Sequence, residues 1–270
     1  MTNIDLCLDA LYRELPHVRE RKPLQELLCR FHDLMANVLF DQERRDVTLA
    51  HLEKAWHFAQ QLQKDELKVA VLYDYGLTLE RAGCIDLALR KYQQARRYEQ
   101  RLPRNLWGSL LLVTGRTEAR VAQTPEEKDA AIALVDRVGK IVRSKETEED
   151  PYFLGLSADL YHLKRSESLI AIGRNKGGLN ELKYVEVAPE RPRRQMYINI
   201  CRAQAHANLG EYSEAADFAA SGLVIAQGIN STIHISRVER MYEQFPQGLF
   251  KHDSDVARLE YLLHYKQRAQ

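Results

Sequence analysis

Nine histidines and four cysteines are the side chains best suited to metal or nucleophile chemistry, and their spacing argues against both. His51 and His57 stand six apart on one helical stretch, too far round for the i, i+4 geometry that presents two imidazoles to one ion. Cys7, Cys29, Cys84 and Cys201 form no C-x-x-C pair and read as buried thiols of a reducing compartment. Cys84 directly follows a turn glycine and Cys201 lies inside a helix, positions that suit small packing residues. There is no H-E-x-x-H, nucleophile elbow or phosphate-loop motif. Two basic groupings remain. Gly173-Arg174-Asn175-Lys176-Gly177-Gly178 has the composition of an anion nest ahead of a helix, yet a phosphate loop normally follows a strand, so a turn with solvated charges is expected. Arg191, Arg193 and Arg194, around Pro192, read as a polar loop between helices. The remaining enzymatic arrangement would straddle helices around Arg120, Lys164 and Glu167.

The elements that must position these groups are helices. Taking Gly83 as a turn, Gly76 lies seven residues before it, and Ala88, Tyr92 and Ala95 lie five, nine and twelve after. Helix axes pack at about 8–10 Å, and the closer end needs small side chains at the crossing. Gly76 and Ala88 give that clearance, while Tyr75, Leu79 and Tyr92 fill the grooves on either side. A glycine after the first helix can adopt the left-handed conformation that satisfies its last carbonyls. The same offsets recur around Gly210, with Ala203 before it and Ala215, Ala219 and Gly222 after. A third turn at Gly173 has Gly178, Leu182 and Val185 beyond, and Leu52, Trp56 and Ala59 mark a degenerate first copy.

Helical periodicity continues outside the repeats. A segment from Ile4 to Leu15 precedes a helix opened by Pro23, with Leu24, Leu27, Leu28, Phe31, Leu34, Met35, Val38 and Leu39 on one face. Further helices are expected over Val47–Leu62, from Pro103 to Gln123, and after Thr124-Pro125-Glu126-Glu127, a capping box with proline in the first turn. Ser144–Asp150, polar and acidic ahead of Pro151, predicts a long loop. Asn230-Ser231 and Asp253-Ser254 predict the caps of two closing helices. With 13 Gly, 8 Pro and no alternating β-branched run, the chain reads as all-α. A formal net charge of +1, from 39 basic and 38 acidic residues, gives no overall basic excess for nucleic-acid binding. Neither an apolar leader core nor a membrane span is evident, so a cytoplasmic location is expected.

The order of small and bulky residues around Gly83 and Gly210 resembles the tetratricopeptide repeat, a helix–turn–helix unit of about 34 residues. The C-terminal half is similar to the sensor domains of bacterial helix–turn–helix regulators and related signalling ATPases, through Ala203-x-Ala205-x-Ala207-Asn208-Leu209-Gly210-x-Tyr212, Ile229-Asn230-Ser231-Thr232-Ile233 and Val238-x-x-Met241-Tyr242. The resemblance implies a right-handed α-solenoid of antiparallel helix pairs with atypical terminal helices. Its divisions are N-terminal helices with a degenerate repeat over 1–65, a core array over 66–228 and capping helices over 229–270. It implies a non-enzymatic module that binds a peptide or protein segment in its concave groove, without cofactor or metal. With no DNA-binding or ATPase motif before the array, the chain would be the ligand-reading part of a regulatory system alone or a stand-alone relative. The groove positions carried over are Tyr73, Leu77 and Glu80, then Val113, Thr117 and Arg120. In the later repeats they are Leu163, Lys164, Glu167 and Ile170, then Tyr197, Ile200 and Gln204. The set departs from the Lys/Asn clamp that some chaperone-binding members place on a C-terminal carboxylate. A structural subunit that assembles through its edges or terminal helices is the alternative.

Overall fold

The computed structural model describes residues 3–41, 44–99, 102–143, 150, 152, 154–186, 191–246 and 253–265. Among them are thirteen α-helices and no strand, so the all-α expectation holds. The helices are α1 (Asn3–Glu14), α2 (Arg21–Asp41), α3 (Arg45–Leu62), α4 (Asp65–Arg81), α5 (Ile85–Arg96), α6 (Arg104–Val121) and α7 (Pro125–Arg143). They continue as α8 (Ala158–Ala171), α9 (Asn175–Glu181), α10 (Pro192–Leu209), α11 (Tyr212–Gly228), α12 (Thr232–Tyr242) and α13 (Ser254–Tyr265). The acidic loop expected over 144–150 lies outside the described residues apart from Asp150.

The turns explain why consecutive helices pair. After α4, Gly83 has φ 83°, its N–H donates to the Glu80 carbonyl at 3.0 Å, and the Cys84 N–H reaches back to Leu79 O at 2.8 Å. The same two bonds close α8 at Gly173 (φ 85°) and α10 at Gly210 (φ 78°). They also close α11, where Asn230 takes the left-handed position at φ 53°. This is the helix-ending motif in which one left-handed residue satisfies two orphan carbonyls and lets the chain reverse within a few residues. Hairpins α4–α5, α8–α9 and α10–α11 follow, and α2 packs on α3.

The chain divides into two compact units, Met1–Thr117 with Ser144–Leu156, and Glu118–Arg143 with Ser157–Gln270. This partition by compactness is a different quantity from the repeat-based division at 65 and 228. In the first unit Tyr92 is fully buried across α4, and Ala88, Ala95, Leu72 and Leu79 complete its surroundings. α2 does not bury its whole apolar stripe on one side as expected. Leu28, Met35 and Leu39 enter the core, whereas Leu27 and Leu34 remain 43% and 49% exposed.

In the second unit α11 is lined with Ala215, Ala216, Ala219, Ala220, Gly222 and Ala226, all buried. Small residues around so much of its circumference let α10, α12 and α13 all approach it. Val238 and Met241 of α12 and Val256, Leu259 and Leu263 of α13 close this core. At the α8–α9 turn, Ser166 and Gly178 occupy the positions seven before and five after the turn glycine, and the Ser166 hydroxyl donates to Gly178 O at 2.9 Å.

The capping predictions split. Thr124 and Glu127 form the expected reciprocal box, with Thr124 N–H on Glu127 Oε2 at 3.1 Å and Glu127 N–H on Thr124 Oγ1 at 3.2 Å. Asp253 caps α13 by accepting the N–H groups of Asp255 and Val256. Ser231 precedes α12 but does not cap its backbone, because its hydroxyl bonds His234 Nδ1 at 2.7 Å instead. The thiol expectation also needs correction: Cys29 and Cys201 are buried, but Cys7 and Cys84 are exposed. Cys84 is the residue that leads out of the turn into α5.

Candidate partner-binding face

The groove positions expected in the first unit are largely interior. Glu80 Oε2 accepts from Arg116 Nη2 at 2.5 Å and from Thr117 Oγ1 at 3.1 Å, with Tyr92 OH at 3.4 Å. The Glu80 and Arg116 side chains are 6% and 12% exposed, so this is a buried ion pair bracing α4 to α6. Thr117 is fully buried. Tyr73 and Leu77 pack against the surrounding apolar cluster. Burial, followed by the charge of Asp74, raises the Tyr73 pKa, so its phenol is neutral. Val113, Leu163, Ile170 and Ile200, carried over as groove positions, are also buried. Arg120 is exposed on α6.

In the second unit, three of the expected residues converge. Lys164 and Glu167 stand one turn apart on α8, joined by an Nζ–Oε2 contact of 2.8 Å. The Lys164 ammonium also lies over the ring of Tyr197 on α10, 4.9 Å from its centroid. Two residues of α12 complete the group. His234 packs edge-on against Tyr197 with centroids 4.7 Å apart, and Arg237 Nη1 lies 3.9 Å from Glu167 Oε1. Cys201 sits beneath, its Sγ 3.9 Å from the same carboxylate oxygen. Burial, then the negative charge of Glu167, pushes this thiol up to about 12, so it is neutral. Burial works against the Arg237 charge, but Cys201, Glu167 and Tyr197 beside it hold its pKa above the ordinary value. The face therefore sets two cations against one carboxylate, beside a tyrosine and a histidine ring.

Gln204, also expected here, lies two turns along α10 from Tyr197. It donates to Asn208 Oδ1 at 3.0 Å, and Asn208 donates to the buried Asn175 at 2.9 Å. His234 and Arg237 were absent from the expected set. Their signal was the polar complement of the apolar stripe Ile235, Val238 and Met241 on α12, where two polar residues three apart share one face.

In the two basic groupings, Arg174 and Arg194 are paired locally. At the Gly173–Gly178 turn, the Gly173 and Arg174 N–H groups bond the carbonyls of Ile170 and Leu169, and the Arg174 side chain pairs with Asp129. Gly178 lies against Ile170, where an added Cβ would meet Cγ1 at 2.6 Å. This is a packed repeat turn and not an anion nest. Arg194 pairs with Asp159 at 2.6 Å. Among the described residues no group of three or more His, Cys, Asp or Glu is placed to hold a metal, and no helix is long and apolar enough to cross a membrane. No protein-family model matches the chain, and no curated protein matches it.

Proposed function

We propose that this chain is a non-enzymatic, peptide- or protein-binding helical-repeat module of the tetratricopeptide type, a right-handed solenoid serving as the sensing or scaffolding part of a cytoplasmic bacterial regulatory system. The partner segment seats on the face formed by α8, α10 and α12 of the second unit. One observation carries the reading. Lys164, Glu167, Tyr197, His234 and Arg237 come from three different helices and meet on one face, in a mixture of charge and aromatic surface that suits a peptide. The three turns with matched bonds and small residues at matched offsets support the repeat assignment. The test is affinity capture from the source cytoplasm with the intact chain and with a Tyr197→Ala/Arg237→Ala variant whose helical content is checked by circular dichroism. The expected result is a partner retained by the first and lost by the second. Equal retention removes this face from the function.

A second reading, assembly of copies through edges or terminal helices, is favoured by the exposed Leu27 and Leu34, seven residues and about two turns apart on α2 in the N-terminal region. Sedimentation that shifts with concentration, and stops shifting in Leu27→Glu/Leu34→Glu, would support it. A concentration-independent monomer would end it.

A further inference from the structure

The α8–α10–α12 face carries a charge imbalance with a consequence for its ligand. Lys164 from α8 and Arg237 from α12 both face one carboxylate, Glu167. The ammonium makes a close contact with it, but the guanidinium does not. At 3.9 Å the Arg237–Glu167 approach is an ion pair beyond hydrogen-bond reach. Arginine offers five N–H donors in a planar fork, a shape that matches the two oxygens of a carboxylate or phosphoryl group. The accessibility also runs the unusual way: the Arg237 side chain is 32% exposed, the Glu167 side chain 10%. An incoming group meets the cation before it meets the acid.

We propose that Glu167 is an internal stand-in for an anionic group of the partner peptide, a carboxylate or phosphoryl group, which docks on Arg237 and Lys164 where Glu167 compensates them in the free chain. The inference rests on the reading of this face as the partner site and names the chemistry that it selects. A ligand anion makes the fork contact that Glu167 leaves unmade, while Tyr197 and His234 supply an aromatic wall beside it. The opposite possibility is that Glu167 receives a basic group. The two differ in sign: removing the Glu167 charge strengthens binding of an anion and weakens binding of a cation.

The experiment titrates the full chain at low ionic strength with three peptide probes, decaglutamate, a neutral peptide bearing one phosphoserine, and decalysine. Calorimetry gives affinity, and the Tyr197 and His234 ring signals by NMR give location. Glu167→Gln is expected to tighten one or both anionic probes by about fivefold, and Lys164→Gln/Arg237→Gln to weaken them by about tenfold or more. The tighter of the two anionic probes identifies carboxylate or phosphoryl as the source. Arg258→Gln, which alters an exposed pair with Asp217 elsewhere in the same unit, is expected to change nothing. Glu167→Gln keeps both cations, and with its helical content checked by circular dichroism it keeps the test decisive if the double variant unfolds. Anionic binding that is unchanged or weaker in Glu167→Gln, or that falls equally in Arg258→Gln, overturns the proposal. A preference for decalysine that Glu167→Gln abolishes also overturns it while leaving the face as the partner site. Failure of the face itself shows separately, as partner capture indifferent to Tyr197.

Discussion

The ring of Tyr92 lies where Gly76 lacks a side chain: a Cβ built on Gly76 would stand 2.2 Å from Tyr92 Cε1 and 2.7 Å from Cδ1 and Cζ. The small residue of α4 and the large residue of α5 are thus one packing unit, and neither position can be changed without the other. Gly76→Ala is expected to destabilise the first unit by about 3 kcal/mol, at the upper end for overpacking, because a fully buried ring has nowhere to move. Gly177→Ala is the control. Its added Cβ meets only Leu169 Cδ1 at 3.6 Å, an ordinary contact, so it is expected to stabilise α9 by about 0.5–1 kcal/mol. Denaturant midpoints of both variants check the contrast. Similar shifts in the same direction would contradict the close-packing account.

The buried pair of Glu80 with Arg116 leads to a second expectation. Breaking one side leaves the other charge without compensation, which costs about 3–5 kcal/mol. Arg116→Met should therefore be severely destabilising, and Glu80→Gln/Arg116→Met should recover much of the loss, since an amide at 80 can still accept from Thr117 and Tyr92. Thermal unfolding of the single and double variants measures the coupling. Additive losses would mean that the pair is not a unit.

These relationships mark how far the sequence can be read. Gly83, Gly173 and Gly210, the Thr124–Glu127 box and the small-residue offsets are local signals, and the structure uses each as its spacing implies. What periodicity could not supply was pairing between helices far apart in sequence. The resemblance to the repeat family implies an open groove at Glu80 and Thr117, and positions carried over from a motif do not show that Arg116 and Thr117 arrive beside Glu80. The convergence of Lys164 with Tyr197 depends on how α8 crosses α10, and the arrival of Arg237 on how α12 crosses both. Asp33 and Asp74 are illegible in the sequence for the same reason: each looks like an ordinary polar residue on its own helix.

Those two carboxyl groups are buried beside one another across α2 and α4, and the Asn37 amide donates to the Asp33 carbonyl at 3.3 Å. Asp33 Oδ1 is sealed from solvent without a hydrogen-bond partner. Burial, then the charge of Asp74, raises the Asp33 pKa well above its ordinary 3.8, and burial raises that of Asp74. Arg30 and Arg81 oppose this only in part. A raised pKa means that the folded state binds the proton more tightly than the unfolded chain. The penalty is absent below about pH 4, grows as pH rises, and levels off above the folded pKa. Asp33→Asn, whose amide can donate to Asp74 without a proton, is expected to stabilise on the order of 1 kcal/mol at pH 7, with the gain fading near pH 4. Chemical denaturation at the two pH values reads this out, and an equal shift at both would sink it.

Its neighbour on α2 responds to pH in the opposite sense. His32 bonds Tyr12 OH of α1 through Nε2 at 2.7 Å and His51 of α3 through an Nδ1–Nδ1 contact of 2.9 Å. Two imidazolium ions cannot share that second contact, because neither nitrogen would have a lone pair to accept. Burial first, then the charges of His51 and Lys54, pushes the His32 pKa down from 6.5 to about 4, and burial lowers that of His51 as well. The folded state thus favours the neutral ring. This contribution is complete above pH 6.5 and is lost as pH falls toward 4, an effect of about 1–2 kcal/mol once solvent screening is allowed for. Leu8 is the buried side chain of α1, Ile4 and Leu11 pack beside it, and the Tyr12–His32 bond adds to what docks that helix. Acidification from pH 7 to pH 4.5 is expected to speed amide exchange in α1 before it does so in α4 or α5. In His32→Gln, exchange in α1 should be faster at pH 7 and far less sensitive to acid, after correction for the intrinsic rate. An α1 whose protection follows the same pH slope with and without His32 would show that this histidine does not hold the helix.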